Sequence, residues 1–328
     1  MTKDAILQML QQNDGFLSGE QMSRQLGISR MAVCKAIDAL RQEGYCIESA
    51  PRRGYRLAGT AMGLNKTGIL AALGSHPWRD RLTVLETVDS TNTYAKRLPA
   101  APHGTVIVAN QQTGGRGRLG RSFYSPKDRS VYLSVVLRLG VEPVKLLHLT
   151  ALAAEAICQA VFDATGLRPG IKWTNDLVIG TKKLCGILTE LTVEAESGMV
   201  DTVVIGAGVN CNYAPEDFPE EVRPIATSLA MELGYPIDRN RLAAAMICRL
   251  AEMSDECLTR KADWIARYTA DCITVGKQVQ VISAAGTRIA HADGIDENAA
   301  LRVTYDNGEQ GTVFSGEVSV RGMYGYTD

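Results

Sequence analysis

The sequence lacks several features that would assign a chain to a class at once. None of its eight cysteines belongs to a C-x-x-C pair, and their spacing is irregular. In a chain of 328 residues this predicts reduced thiols that pack as small apolar groups, and it argues against a disulfide framework or a metal site. The formal net charge is only −1, so any binding to nucleic acid or membrane must come from a local patch.

The sequence also shows no pattern typical of an exported or membrane-inserted protein. The first residues, Met1–Ala5, carry no signal-peptide pattern, and we expect no apolar run that approaches the length of a membrane span. A hydrophobic fraction of 45% with 22% charged residues is ordinary for a globular protein. The length allows two or three domains. These properties predict a cytoplasmic protein.

Residues 1–60 have the pattern of a small unit of their own. Apolar residues at helical spacing predict a first helix, and Ser18 and Ser29 predict the N-caps of two more. The third helix is expected to run to about Glu43, where Gly44 can end it. Two short strands around a turn at 51–54 follow. This order of elements predicts a winged helix-turn-helix.

The basic residues of this unit lie where a DNA-binding surface needs them. Residues 1–57 hold eight basic and six acidic side chains, a net charge of +2. The start of the third helix and the turn between the strands favour DNA binding over a winged helix used for protein contacts. The candidate DNA-binding residues are Arg30, Met31, Ala32, Lys35, Arg52 and Arg53.

After a linker at 58–65, the pattern becomes mixed α and β over residues 66–270. A long helix is predicted at about 146–165, and further helices at 240–269. One sheet with helices packed on a face, an α+β layer, is expected. The predicted strands are Leu82–Val88, Thr105–Ala109, Val131–Leu137, Leu184–Leu191 and Thr202–Gly206.

Residues 271–328 alternate short strands with the turn pairs Ala285-Gly286, Asp293-Gly294 and Asn307-Gly308. Such closely spaced hairpin signals predict a small β-barrel. The whole chain is therefore expected to be an α+β multidomain protein, with the winged helix first and the barrel last.

The segment Gln112–Arg121 is the most informative in the chain. It combines glycines with Arg116, Arg118 and Arg121 and has no apolar period. Glycine lets main-chain N–H groups approach a ligand closely, and arginine suits phosphate oxygens. A loop that closes over a phosphorylated ligand is one interpretation. A solvated basic loop, or one that binds nucleic acid nonspecifically, is the other.

Four further clusters lie at or next to predicted strand ends. Asp89–Asn92 can simply cap a helix, which is the favoured interpretation from the residues alone. Lys172–Asp176 has a tryptophan and a lysine that a plain turn would not need. Lys183 lies at the mouth of an apolar strand, where a lysine usually extends to solvent. Gly206–Asn210 can let a base or sugar approach the backbone, although glycine also marks bulges.

Together these clusters resemble the biotin protein ligases, specifically the bifunctional class that doubles as the biotin operon repressor. The family's G-R-G-R-x-G-R is matched by residues 115–121 and its K-x-x-G-I-L by 183–188. Its S-T-N is matched by 90–92 and its K-W-P-N-D by 172–176. The resemblance covers nearly the whole chain, with a small SH3-like barrel at its end. Thr174 replaces the usual proline, and Phe123 stands where tryptophan is common.

The resemblance implies ATP-dependent ligation of biotin to a lysine of an acceptor carboxylase through biotinyl-5′-AMP, with Mg²⁺ bound to the phosphates. Catalytic roles are implied for Lys183, Arg118, Asp176 and Arg116. Biotin would be bound by Ser90, Thr91, Asn92, Gln112, Arg116, Gly117, Arg118, Trp173, Lys183 and Gly186. The nucleotide would be bound by Gly115, Arg118, Arg121, Phe123, Asn175, Asn210 and Arg321.

The resemblance also implies partners. Biotinyl-AMP would promote a homodimer that binds double-stranded operator DNA, and the acceptor would be a biotin carboxyl carrier domain. A lipoate ligase, which shares the fold, and a biotin-sensing repressor without ligase activity are the alternatives.

Overall fold

The computed structural model describes residues 2–13, 15–42, 45–51, 53–59, 63–283, 286–314, 319–322 and 327. Some of the predictions lie outside the described residues: the helix end at Glu43-Gly44, the DNA contact at Arg52 and the first residue of Ala285-Gly286. The side chain of Arg321 also lies outside the description, although its backbone belongs to a strand.

The amino-terminal unit has the predicted winged helix-turn-helix. Its elements are α1 (Thr2–Gln11), α2 (Gly19–Leu26), α3 (Arg30–Gln42), β1 (Cys46–Ala50) and β2 (Gly54–Gly59), with the two strands antiparallel. Both predicted N-caps are present. Ser18 Oγ accepts a hydrogen bond from the N–H of Gln21 at 3.0 Å, and Ser29 Oγ accepts one from the N–H of Ala32 at 3.1 Å. These bonds satisfy N–H groups that a helix start leaves without a partner.

The middle of the chain is built on one mixed sheet. Its strands are β3 (Leu82–Val88), β4 (Thr105–Gln112), β5 (Ser130–Leu137), β6 (Gly170–Lys172), β7 (Asp176–Ile179), β8 (Lys182–Val193) and β9 (Val200–Asn210). The order across the sheet is β3-β4-β5-β9-β8-β7-β6, with β3 and β4 parallel and the other neighbours antiparallel. The five predicted strands are confirmed. β6 and β7 were not predicted.

Helices cover the sheet and connect it to the amino-terminal unit. They are α4 (Lys66–Leu73), α5 (Thr91–Arg97), α6 (Leu149–Thr165), α7 (Leu229–Leu233), α8 (Arg239–Glu256) and α9 (Lys261–Asp271). The side chain of Asn240 on α8 fixes the linker between the two units. It accepts from the N–H of Asn65 at 2.9 Å and donates to the carbonyl of Gly63 at 3.2 Å.

One expectation about apolar runs was wrong. The segment Pro143–Thr165, which ends with α6, is long and apolar enough to cross a membrane by length and composition. In the structure, 72% of its apolar window is buried inside the protein, and α6 packs against α8 and the sheet. Its hydrophobicity is therefore accounted for by the core.

The carboxy-terminal part is an antiparallel sheet. Its strands are β10 (Gln278–Ser283), β11 (Gly286–Ile295), β12 (Leu301–Tyr305), β13 (Gln310–Val313) and β14 (Ser319–Gly322), in the order β13-β12-β11-β10-β14. The predicted turn at Asn307-Gly308 is confirmed, with φ of 84° at Gly308. The predicted turn at Asp293-Gly294 is wrong. β11 continues through it, and the register shifts between Ala292 and Gly294, so this glycine marks a bulge.

Candidate active site

One cavity collects residues from every motif that the sequence analysis singled out in the middle of the chain. It lies beside β8 and β9, under the loop 114–122. We call this loop the roof, and we call Gly186 of β8 together with Gly206 and Gly208 of β9 the floor. The predicted site residues that line the cavity are Ser90, Thr91, Asn92, Gln112, Arg116, Gly117, Arg118, Arg121, Phe123, Trp173, Asn175, Asp176, Lys183 and Gly186.

Lys183 presents its ammonium group to the cavity from the start of β8. Its Nζ lies 2.7 Å from Oδ1 of Asp176 on β7, and its side chain is 27% exposed. The backbone at Lys183 is fixed from the other side, because its N–H donates to Ile225 and its carbonyl accepts from Thr227. A cation with a fixed backbone and a partly open head group can shift from the carboxylate to a bound anion.

The roof contacts the turn between β6 and β7 through Arg118. Its Nη1 donates to Oδ1 of Asn175 at 3.0 Å. Burial lowers the pKa of the Arg118 guanidinium, and the nearby charge of Arg121 acts in the same direction, whereas Asp176 opposes both. A guanidinium that has lost part of its water and lies near a second cation has much to gain from binding an anion.

The floor is made of glycines because other groups lie directly against them. A Cβ on Gly208 would lie 2.6 Å from Cε1 of Phe123, and one on Gly206 would overlap Oδ1 of Asn92. The Nζ of Lys183 is also 6.0 Å from the centre of the Phe123 ring. The floor therefore admits flat or polar groups at distances that a larger residue would prevent.

Trp173 forms an aromatic wall between β6 and β7. It is 4% exposed, and its indole N–H donates to the carbonyl of Ala299 at 2.9 Å. Its backbone N–H donates to Oγ1 of Thr274, also at 2.9 Å. The wall is thus held by the carboxy-terminal part of the chain, and the peptide that joins Trp173 to Thr174 is cis.

The opposite end of the cavity is a polar network around α5. Oε1 of Gln112 accepts from the N–H of Thr91 at 2.8 Å, and Nε2 of Gln112 donates to Ser125 at 3.1 Å. Ser90 also caps α5, because its hydroxyl accepts from the N–H of Thr93 at 3.5 Å. The cluster therefore caps a helix, and its residues 90–92 also line the cavity. Fixed donors and acceptors of this kind suit a neutral polar ligand group.

Comparison with known proteins agrees with this geometry. A model of the biotin/lipoate A/B protein ligase family matches residues 84–210, and a model described as an HTH domain matches residues 2–56. The bifunctional ligase/repressor BirA of Bacillus subtilis (strain 168) is 35% identical over 311 residues, which cover 94% of this chain and 95% of that protein. The chain belongs to the biotin/lipoate protein ligase family.

A second relative covers the same length, and a solved structure covers a shorter part. The bifunctional ligase/repressor BirA of Escherichia coli (strain K12) is 32% identical over 312 residues, 94% of this chain and 94% of that protein. Among solved structures, the biotin protein ligase from Aquifex aeolicus in complex with biotin and ATP is similar with a TM-score of 0.64 and 28% identity. The similarity covers 73% of this chain and 98% of that one.

Not every predicted site residue reaches the cavity in this member of the family. Asn210 is 6% exposed, and its side-chain amide donates to the carbonyl of Thr227 at 3.0 Å. It joins two backbone segments and does not line the cavity, so the structure gives no support to a nucleotide contact there. Gly115 also lies outside the lining, where a Cβ would overlap Phe123 and Ser125, and it lets the roof fold back on itself.

Two polar residues near the cavity were missed by the sequence analysis. Ser134 on β5 is fully buried, and its hydroxyl lies 2.6 Å from Oδ1 of Asn92 and 2.8 Å from Oγ1 of Thr91. Glu190 on β8 lies near the same asparagine. Ser134 and Glu190 lie in the interior of long strands, away from the motifs that marked the other site residues, so their sequence neighbours gave no signal.

The predicted DNA-binding residues that are described lie at the start of α3 and at the turn between β1 and β2. Arg30 pairs with Glu20 of α2 at 2.9 Å, and Met31 is 70% exposed. Ala32 and Lys35 lie on the same helix, with Lys35 exposed. The guanidinium of Arg53 lies 4.4 Å from the ring centre of Phe16. A helix start and a basic turn on one small unit have the arrangement of a groove-binding helix with a phosphate-contacting wing.

Proposed function

We propose that this protein activates biotin with ATP as biotinyl-5′-AMP and then transfers biotin to a lysine of an acceptor protein. The observation that carries the proposal is the meeting of Lys183 with Arg116, Arg118 and Arg121 in one cavity that also has an aromatic wall and a polar end. Membership of a ligase family and the similarity to a biotin protein ligase crystallised with biotin and ATP support it.

In the first step a carboxylate oxygen of biotin attacks the α-phosphorus of ATP. The bond to the β-phosphate breaks, and pyrophosphate leaves. The cations near this centre are Lys183 and Arg118, and they offset the negative charge that builds up on the phosphate oxygens. ATP enters with Mg²⁺ bound to its phosphates, so the ion is part of the substrate.

In the second step the amine of the acceptor lysine attacks the acyl carbon of the mixed anhydride. The bond to the phosphate oxygen breaks and AMP leaves. The amine must lose a proton, and Asp176 is the carboxylate beside Lys183 that can orient the amine or accept this proton. Trp173 bounds the apolar part of biotin, while Ser90, Thr91 and Gln112 bind its polar ends.

We further propose a division of the chain into three working parts. Residues 1–60 bind operator DNA through the start of α3 and the turn between the strands. Residues 66–270 carry both chemical steps, and 271–328 hold the aromatic wall of the cavity through Thr274 and Ala299. The contact of Arg321 with the phosphates stays a prediction from the family resemblance. Cytoplasmic location is part of the same proposal, because each described cysteine is a free thiol.

The ligase proposal is tested by pyrophosphate release with ATP and either biotin or lipoate. We expect release with biotin and none with lipoate. Release with lipoate alone would identify a lipoate ligase. If the protein binds biotin without releasing pyrophosphate, it is a sensor and not an enzyme.

Repression adds a homodimer to this scheme. A single winged helix with a net charge of +2 on residues 1–57 makes few phosphate contacts, so useful affinity needs two copies on a symmetric site. Biotinyl-AMP can drive dimerisation only if it binds the dimer more tightly than the monomer. Sedimentation with and without biotin plus ATP is expected to show a larger dimer fraction with both. An unchanged fraction contradicts control by the adenylate, whatever the ligase activity.

A further inference from the structure

Glu190 lies just outside the cavity and contacts residues that line it. It belongs to β8, four positions beyond Gly186 of the floor, and its side chain is 21% exposed. One oxygen, Oε2, accepts from Nδ2 of Asn92 at 2.9 Å, and the other accepts from Nζ of Lys96 at 2.7 Å. The second oxygen also lies 3.8 Å from Nη1 of Arg116 in the roof. One carboxylate thus connects α5, the sheet and the roof.

The contact with Asn92 fixes a side chain that has little freedom left. The amide nitrogen of Asn92 also donates to the carbonyl of Leu188 at 3.2 Å, so both of its N–H bonds are used within the protein. Its oxygen accepts from Ser134 at 2.6 Å and lies against Gly206. The orientation of the Asn92 amide is therefore fixed, because Glu190 and the carbonyl of Leu188 both accept from its nitrogen.

The contact with Arg116 is of a different kind. At 3.8 Å, with the arginine side chain 52% exposed, it is an ion pair rather than a hydrogen bond, and ion pairs this exposed are weak. Burial alone would raise the pKa of Glu190, but hydrogen bonds from Lys96 and Asn92 outweigh it and hold the pKa below its usual value. The carboxylate is therefore ionised at neutral pH and attracts the roof.

We propose that Glu190 is a positioning residue for biotin, which fixes the Asn92 amide and draws Arg116 of the roof toward the polar end of the cavity. The inference rests on the proposed function, because it takes biotin as the ligand of that end. Glu190 acts through its two neighbours and takes no part in either chemical step.

The test is the variant Glu190→Gln, which keeps the shape of the side chain and removes its charge. Loss of one charge-assisted hydrogen bond predicts a KM for biotin about 10-fold higher, with kcat for pyrophosphate release within a factor of about 3. The matched control is Glu196→Gln in the exposed turn after β8, which is expected to behave as the wild type. Glu190→Asp keeps the charge on a shorter side chain and should give an intermediate KM, and it serves as the measured variant if Glu190→Gln does not fold.

Coupling to the roof is measured with Arg116→Gln alone and combined with Glu190→Gln. If Glu190 acts partly through Arg116, the rise in KM in the double variant is smaller than the product of the two single effects. An unchanged KM in folded Glu190→Gln overturns the inference. A fall in kcat as large as the rise in KM, together with a lower melting temperature, also overturns it, because it would show a general loss of structure. If the wild type itself shows no biotin-dependent pyrophosphate release, the proposed function fails instead, and the two failures are distinguishable.

Discussion

The floor and the roof of the cavity are held in place by different means. On the floor, β8 and β9 pair from Cys185 opposite Val209 to Val193 opposite Val200, deep in the sheet. The roof is an exposed loop in which Leu119 is 62% exposed and has φ of 55°. Among its side-chain contacts with the rest of the protein are one hydrogen bond from Arg118 to Asn175 and the ion pair of Arg116 with Glu190.

This difference separates two tasks within one site. Groups that must be placed accurately before any ligand arrives, Lys183 and the floor glycines, belong to strands whose backbone cannot shift without breaking a ladder. Groups that must surround a ligand after it enters, the roof arginines, belong to a segment that costs little to move. Variants of Lys183 or of the floor glycines should therefore affect the chemical step or the shape of the site. Variants and ligands that act on the roof should affect how ordered the roof loop is.

The largest effect is expected from Lys183→Ala, at the start of the strand that carries Gly186 of the floor. Removal of a cation aimed at developing charge should lower kcat for pyrophosphate release on the order of 10²-fold or more. The matched control is Lys182→Ala, which removes the same charge one position earlier on β8, outside the cavity lining. Near wild-type release by the Lys183 variant, with the control also unaffected, would sink the assignment of this lysine.

A smaller effect on the floor is expected from Gly206→Ala. The new methyl group takes the place of Oδ1 of Asn92, so the asparagine must give up its bond with Ser134, at a cost of about 1–3 kcal/mol. We expect KM for biotin to rise roughly 10-fold, consistent with that cost, while kcat stays close to the wild-type value. Gly63→Ala, where a methyl group would meet nothing within 4 Å, is the control for the change of residue type. A wild-type KM would show that Asn92 is not needed where it lies.

The smallest effect is expected on the roof, where ligands should change the rate of cleavage by trypsin. Trypsin should cut at Arg116, Arg118 or Arg121 in the ligand-free protein and several-fold more slowly once biotin and ATP are present, because the loop becomes ordered over the adenylate. ATP alone and biotin alone are the controls. Equal cleavage in all samples would mean that the roof does not become ordered over the ligand, and the task assigned to it above would be wrong.

Much of this arrangement could be predicted from sequence, because local chemistry marks it. The caps at Ser18 and Ser29 and the basic loop up to Arg121 carry their signals within a few neighbouring residues. Lys183 starts a recognisable apolar strand, but its role at the site came from the resemblance of residues 183–188 to the family's K-x-x-G-I-L motif. The fold class followed from the order of such elements.

What was missed depends on contacts between distant segments. Glu190 and Asn92 are 98 positions apart, and nothing near either residue indicates the pairing. For Asn210 the family resemblance implied a nucleotide contact. In the structure its side-chain amide donates to the carbonyl of Thr227, so that contact stays a prediction. β6 and β7 contain three and four residues, too few to show a period.

The bonds that hold Trp173 have a consequence for synthesis of the protein on the ribosome. Thr274 and Ala299, which accept its two N–H groups, are made 101 and 126 residues after the tryptophan itself. A nascent chain that has emerged only as far as residue 270 already contains Lys183 and the roof, yet its aromatic wall has neither acceptor. The site can therefore form completely only after the last part of the chain has been made. A product truncated at residue 270 has the ligase motifs but lacks the two acceptors that hold the aromatic wall.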